Sequence, residues 1–182
     1  MRHVRNLTTF AIVLSLTACG GEDRLYAPPS KPSRHAPRAP PPSARSAVSE
    51  ATFVAVNGSI DLFVIRSSEL ALQRSTSSRV RDFATSMIEA HKGTSAQLSL
   101  AGRRLNLLPS ATLLQSEQAM LDNLQASARF DADYVHDQRS VHQKAVELDS
   151  AYATNGGSPT LRPVAKAALP IEQRHLRLLA YL

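Results

Sequence analysis

FDADYVHDQRSVHQKAVELDSAY, residues 130–152, is the stretch with the clearest periodicity in the chain. Apolar side chains recur in it at steps of three, four and seven, at Phe130, Tyr134, Val141, Ala145, Leu148 and Tyr152. Such steps place side chains on one face of an α-helix, and Gln138 and His142 share that face. A helix with one apolar stripe must bury it against other helices, so this stretch predicts a helical bundle.

The rest of the sequence from Ser49 onward supplies partner helices with the same period. Apolar steps and N-cap residues predict helices at about 49–74, 78–101, 110–128, 130–155 and 158–182. Ser158 followed by Pro159 predicts the start of the last helix, and Pro170 should kink or break it. The sequence shows no strand alternation. It therefore predicts an all-α, antiparallel four-helix bundle with one short extra helix over residues 49–182.

The basic residues are concentrated before the bundle. The chain of 182 residues carries a formal charge of +6, but Lys and Arg outnumber Asp and Glu by 7 to 2 in residues 1–48 and by only 14 to 13 in residues 49–182. The nearly balanced bundle argues against a nucleic-acid partner. Cys19 is the single cysteine, which excludes a disulfide within the chain.

Residues 1–18 have the layout of an export signal. Arg2 and Arg5 precede the apolar run LTTFAIVLSL, which is too short to span a bilayer. The following residues, LTACG at 16–20, resemble the lipobox of bacterial lipoproteins. That resemblance implies cleavage after Ala18, acylation of Cys19 and, because Gly20 follows it, delivery to the outer membrane of a Gram-negative bacterium, facing the periplasm.

Residues 19–48 carry the acylated Cys19 and then a Pro-rich segment. The segment APPSKPSRHAPRAPPPSARSA at 27–47 has almost no apolar side chain larger than Ala. It cannot bury enough surface to offset the entropy of ordering, so we expect a disordered spacer. Its positive charges either keep the tether soluble or rest on anionic lipid or cell-wall polymer, and the sequence leaves both open.

The order of residues from about 53 to 182 resembles one bacterial family, the domain-of-unknown-function 4142. The resemblance is carried by LALQR at 70–74, VRDFA at 80–84 with Met87 and His91, FD at 130–131 with Tyr134, Val135, Gln138 and His142, and LP at 169–170 with His175 and Leu176. It implies a ferritin-like helical bundle in a putative outer-membrane or periplasmic protein, and it implies no activity. Members often carry acidic residues where this chain has Val64 and Ala90.

Three histidines, His91, His142 and His175, lie on the apolar stripes of three different predicted helices. Bundles build metal sites from such inward side chains, and Glu172 precedes His175 by one helical turn. Each histidine could equally be a core imidazole hydrogen-bonded to a neighbour such as Gln138. If a metal binds, copper or zinc is favoured over di-iron, because few carboxylates point inward.

The sequence contains no complete catalytic set. Asp131, Asp133, Asp137 and His136 fall at offsets that spread them over a solvated face. The favoured function is therefore a non-enzymatic envelope lipoprotein that acts through contacts with other envelope proteins or cell-wall polymer. The alternative is a periplasmic metal-binding or stress-related module that uses the inward histidines.

Overall fold

The computed structural model describes residues 48–182, and all regular structure within them is helical. The helices are α1 (Glu50–Arg74), α2 (Ser78–Arg103), α3 (Gln115–Ala126), α4 (Phe130–Asn155) and α5 (Arg162–Leu178), with a final 3-10 turn at Leu179–Tyr181. None of the helices in this range is long and apolar enough to cross a membrane. The predicted all-α class is confirmed.

The four long helices form a closed bundle in which every neighbouring pair is antiparallel. Helix α1 packs against α2 and α4, and α5 packs against α4 and α2. A three-residue link makes α1 and α2 antiparallel. The crossover that contains α3 then returns the chain to the end of the bundle at which α2 begins, and α4 starts there. A bundle with one long crossover has the connectivity of ferritin-like folds. The four antiparallel helices and the short extra helix were both predicted.

The short helix α3 is attached to the outside of the bundle by a polar network. Glu117 accepts hydrogen bonds from Ser59 of α1 at 3.1 Å and from Ser116 at 2.8 Å, and it pairs with Lys144 of α4 at 2.7 Å. Arg74 donates to the backbone carbonyls of Leu124, Gln125 and Ser127 at the other end of α3. The crossover is therefore fixed at both ends.

The core consists of two apolar clusters with a polar layer between them. One cluster contains Ile60, Phe63, Phe83, Met87 and Tyr134, and the other contains Phe53, Leu98, Tyr152, Leu161 and Ala165. The buried polar residues of the intervening layer are Asp61, His91, Thr94, His142, Asp149, Glu172 and His175. Buried polar groups are costly unless they have partners, so a polar layer inside the core is a candidate functional site.

The helix boundaries agree with the sequence at α1, α2 and α4 and differ at α3 and α5. Ser49 and Ser77 cap α1 and α2 by accepting from the backbone N–H three residues on. Helix α3 begins at Gln115, later than predicted, because the preceding segment turns through Ser110, whose hydroxyl accepts from the backbone N–H of Thr112. Helix α5 begins at Arg162, because Ser158 first caps a separate turn through the N–H groups of Thr160 and Leu161.

The sequence predicted a kink or a break at Pro170, and the helix does not break there. Helix α5 continues through Pro170 to Leu178. The ring removes one backbone donor, but Pro170 and Lys166, whose carbonyl loses its partner, are both exposed. Water can therefore satisfy the freed carbonyl. Glu172, His175 and Leu179 are buried on the inward face of this helix, whereas Leu178 and Leu182 are exposed.

Candidate metal centre

The three inward histidines and Glu172 meet at one level of the bundle. His91 comes from α2, His142 from α4, and Glu172 and His175 from successive turns of α5. One donor atom from each of the four side chains lies within 4.8 Å of all the others. None of the four side chains is more than 5% exposed. The sequence placed these residues on inward faces, and the structure adds that they converge.

The distances between donor atoms are close to those of a four-coordinate metal site. His142 Nε2 lies 3.3 Å from His91 Nε2 and 3.2 Å from His175 Nδ1. The Glu172 Oε2 atom lies 3.6 Å from His142 Nε2 and 3.9 Å from His91 Nε2. A tetrahedron with metal–ligand bonds near 2.0–2.1 Å has edges of about 3.3–3.4 Å. The cluster therefore needs only a small contraction to enclose a metal ion.

The orientation of two imidazoles is set by groups behind them. His91 Nδ1 lies 2.8 Å from Asp61 Oδ1, which also accepts from the Thr94 hydroxyl at 2.7 Å. His142 Nδ1 lies 2.6 Å from the Gln138 carbonyl, which can only accept, so Nδ1 carries the proton. Each ring then directs its Nε2 lone pair inward when neutral. A carboxylate or carbonyl behind a histidine is the usual support of a metal-ligating ring.

Burial and neighbouring charges shift the pKa values of the three histidines in different directions. Burial lowers the pKa of His91, but its hydrogen bond to Asp61 and the charge of Glu172 outweigh burial and raise that pKa above the ordinary value. Burial and the charge of His91 hold the pKa of His142 well below its ordinary value and lower the pKa of His175 to about 3. Of the three imidazoles, His91 is therefore the one that binds a proton most readily.

Glu172 lacks the partner that its burial demands. Burial raises the pKa of Glu172 to about 7, against the attraction of His91. Its Oε2 atom is buried and accepts no hydrogen bond. A buried carboxylate oxygen without a donor is costly, and it becomes satisfied when it binds a metal ion. Three imidazoles and one carboxylate form a donor set that suits copper and zinc.

Two acidic residues of the polar layer were missed by the sequence analysis. Asp61 of α1 is buried against His91, whereas Glu69 on the same helix is exposed. Asp149 was not considered, although it follows His142 by seven residues and so lies on the same stripe of α4. Helical spacing alone could have found both. The shortage of inward carboxylates inferred from the sequence is therefore corrected.

The other constellation considered from the sequence does not form a site. The side chain of His136 is 80% exposed, and its Nδ1 atom lies 3.2 Å from Asp137 Oδ1. Asp133 instead accepts hydrogen bonds from Arg129 and Ser127 near the start of α4. Gln138 donates to Ser67 at 2.8 Å, and only its backbone carbonyl supports His142. Cys19 and the segments at 1–18 and 19–48 fall almost entirely outside the described residues.

The fold and the cluster define this chain as a helical-bundle protein with a buried group of three histidines and one glutamate. The chain belongs to the family described as Domain of unknown function (DUF4142), which matches residues 35–182. This confirms the family predicted from the sequence.

Among the solved structures that share the fold are two forms of CopM. They are CopM in the Cu(II)-bound form, with 18% identity over 72% of this chain and 93% of that one, and CopM in the Cu(I)-bound form, with 15% identity over 73% and 94%. The TM-score is 0.61 for both. At this identity the likeness concerns the fold alone. A search of curated proteins gave no match.

Proposed function

We propose that this chain is a metal-binding protein of the cell envelope that holds a transition metal ion, copper before zinc, at His91, His142, His175 and Glu172. The observation that carries the proposal is the convergence of four buried donor atoms, one of which has no other partner. Charge supports it as well, because the carboxylates of Glu172, Asp61 and Asp149, which raise the pKa of His91, also attract a bound cation.

Ligand chemistry and the structural neighbours support copper as the first choice. Imidazole and carboxylate donors bind Cu(II) more strongly than Zn(II), while Cu(I) prefers sulfur ligands, which this cluster lacks. The two CopM structures with the same fold were solved with Cu(II) and Cu(I). We expect this centre to bind Cu(II) most tightly and Zn(II) next.

The burial of the cluster favours binding over catalysis. Catalytic metal sites keep a coordination position open for water or substrate, whereas closed sites with four protein ligands hold the metal. Here four protein donors surround the centre and all are buried. We therefore propose that the chain stores, buffers or delivers the metal without chemical turnover. Contact with envelope proteins or cell-wall polymer stays a prediction from the sequence.

The metal content of the purified chain tests this proposal. The full chain should carry Cys19→Ser throughout, because a free thiol would bind copper by itself. After loading with Cu²⁺ and passage over a chelating column, the parent chain should retain one copper ion with nitrogen coupling in its electron paramagnetic resonance spectrum. His142→Ala should lose this copper.

His136→Ala is the matched control, because His136 lies on the same helix but is exposed. It should retain copper as the parent does. Far-UV circular dichroism of each variant separates loss of a ligand from loss of the fold, and His175→Ala, at the least buried ligand, provides a second removal. Equal copper retention by the parent and both ligand variants would contradict the proposal, as would a parent chain that holds neither copper nor zinc.

A further inference from the structure

A small cavity lies beside the histidine cluster and shares Glu172 with it. It encloses about 20 Å³, and its polar lining consists of Asn57, Asp61, Thr94, Gln97, Asp149 and Glu172. A space of this size accommodates about one water molecule or an ion of similar radius. Gln97 is exposed, so the cavity has a polar rim at the surface.

One carboxylate of this cavity has a buried oxygen without a hydrogen-bond partner. Asp149 Oδ1 accepts from Asn57 at 3.1 Å, but its Oδ2 atom is buried and has no partner. Asp149 is only 1% exposed and does not belong to the histidine cluster. Glu172 lines the cavity as well, while its Oε2 atom faces His91 and His142 of the histidine cluster.

The charge around the cavity is not balanced by basic side chains. Asp61, Asp149 and Glu172 are each at most 5% exposed. Within residues 48–182, the ion pairs of Asp61 and Glu172 are formed with histidine alone, and Asp149 forms none. Buried carboxylates normally pair with a cation or coordinate a metal ion. When all three carboxylates are ionised, one divalent ion in the histidine cluster compensates two of these charges and leaves one without a cation.

We propose that this cavity is a second cation site, which binds a hard divalent ion such as Mn²⁺ or Mg²⁺ through the carboxylates of Asp149, Asp61 and Glu172. Carboxylate oxygens are the donors that such ions prefer, and the absence of nitrogen ligands separates this site from the histidine cluster. Glu172 belongs both to this site and to the histidine cluster. The second site is an addition to the metal centre of the proposed function. The two ions differ in class because their donors differ.

Binding of Mn²⁺, followed by electron paramagnetic resonance, tests the second site. The full chain with Cys19→Ser is first given one equivalent of Zn²⁺ to fill the histidine cluster. We expect it then to bind one Mn²⁺ ion, and Asp149→Asn to weaken Mn²⁺ binding by at least about tenfold while it retains the zinc. Glu147→Gln is the control, because it removes an exposed carboxylate of the same helix and should change neither metal.

A second variant keeps the test independent of the folding of Asp149→Asn. Ala168 lines the cavity from α5, so Ala168→Leu should fill it with an apolar side chain and reduce Mn²⁺ binding while zinc stays bound. A zinc-loaded parent that binds no Mn²⁺ at millimolar concentration would overturn the second site and leave the histidine centre standing. Unchanged Mn²⁺ binding in both variants would overturn it as well.

The two proposals can fail separately. A parent chain that binds Mn²⁺ through Asp149 but retains neither zinc nor copper would contradict the histidine centre alone. His142→Ala should lose zinc and still bind Mn²⁺, because His142 does not line the cavity.

Discussion

Asp61 illustrates what the sequence predicts for a single residue and what it leaves open. Its spacing from Val54 and Val64 places it on the inward face of α1, so burial could be predicted. Its partner could not be predicted, because the contact with His91 depends on how far α1 and α2 are shifted along each other. The same limit applied to the three histidines, whose inward faces were predicted but whose common level was not.

Replacing Asp61 tests whether it positions His91 for metal binding. Asp61→Asn leaves all four proposed ligands in place but exchanges the carboxylate behind His91 Nδ1 for an amide. We expect Cu²⁺ affinity to fall by about 10- to 100-fold, as for other groups that orient a metal ligand. Competition with a chelator of known affinity measures the change. The exposed Glu69, replaced in Glu69→Gln, is the control on the same helix. Equal affinity of Asp61→Asn and the parent would show that Asp61 only fills space.

Asp149 gives a prediction for the pH dependence of stability. Burial raises its pKa from 3.8 to about 7, the Asn57 hydrogen bond opposes the rise, and the charges of Glu172 on α5 and Asp61 on α1 add to it, while His91 on α2 lowers it. The folded chain thus binds this proton more tightly than the unfolded chain. The resulting stability is complete below pH 3.8 and is lost as the pH rises towards 7.

Asp149→Asn removes this dependence, because the amide does not titrate. In buffer with a metal chelator, the free energy of unfolding of Asp149→Asn should exceed that of the parent by more at pH 8 than at pH 5. The full shift corresponds to about 4 kcal/mol. Urea denaturation at the two pH values measures the difference, and Glu147→Gln should show none. A difference that shrinks as the pH rises would have the wrong sign for a buried, ionised Asp149.

At the scale of helices, periodicity predicted every element and failed where local hydrogen bonds compete with helix formation. The start of α3 was predicted too early because Ser110 and Thr112 form a side-chain turn, and α5 starts late because Ser158 caps an isolated turn. Whether the helix continues through Pro170 could not be decided from the sequence, because the cost of a proline depends on whether water reaches the freed carbonyl. Tertiary position decides that, and the sequence does not report it.

The two glycines Gly58 and Gly93 test how closely the crossover packs on α1. A Cβ atom at Gly58 would lie 2.6 Å from Pro109 Cβ, whereas one at Gly93 would meet nothing within 4 Å. Both lie inside helices, where Ala is favoured over Gly by about 1 kcal/mol. Gly93→Ala should therefore raise the free energy of unfolding by about that amount. Gly58→Ala should lower it by about 1–3 kcal/mol, because the crossover must move. Urea denaturation measures both, and a shift of the same sign in the two variants would exclude a close contact at Pro109.

For the molecule as a whole, the proposed metal centre lies in the bundle, whereas the predicted lipid anchor lies in the leader. No helix within residues 48–182 could span a bilayer. The resemblance of residues 16–20 to a lipobox predicts acylation of Cys19, and several acyl chains at one cysteine would bind a membrane firmly. We therefore expect the two properties to be separable. Residues before 48 should determine membrane attachment, and residues after 48 should determine metal binding.

Cys19→Ser in the exporting cell tests this division. The variant should lose both membrane fractionation and incorporation of labelled palmitate, because the serine hydroxyl cannot replace the thiol in acylation. Its bundle should still bind copper as the parent does, since all four proposed ligands lie at or beyond residue 91. His142→Ala is the reciprocal control, which should remain in the membrane fraction while it loses copper. Membrane attachment that survives in Cys19→Ser would place the anchor elsewhere and contradict the lipoprotein prediction, whatever the result for copper.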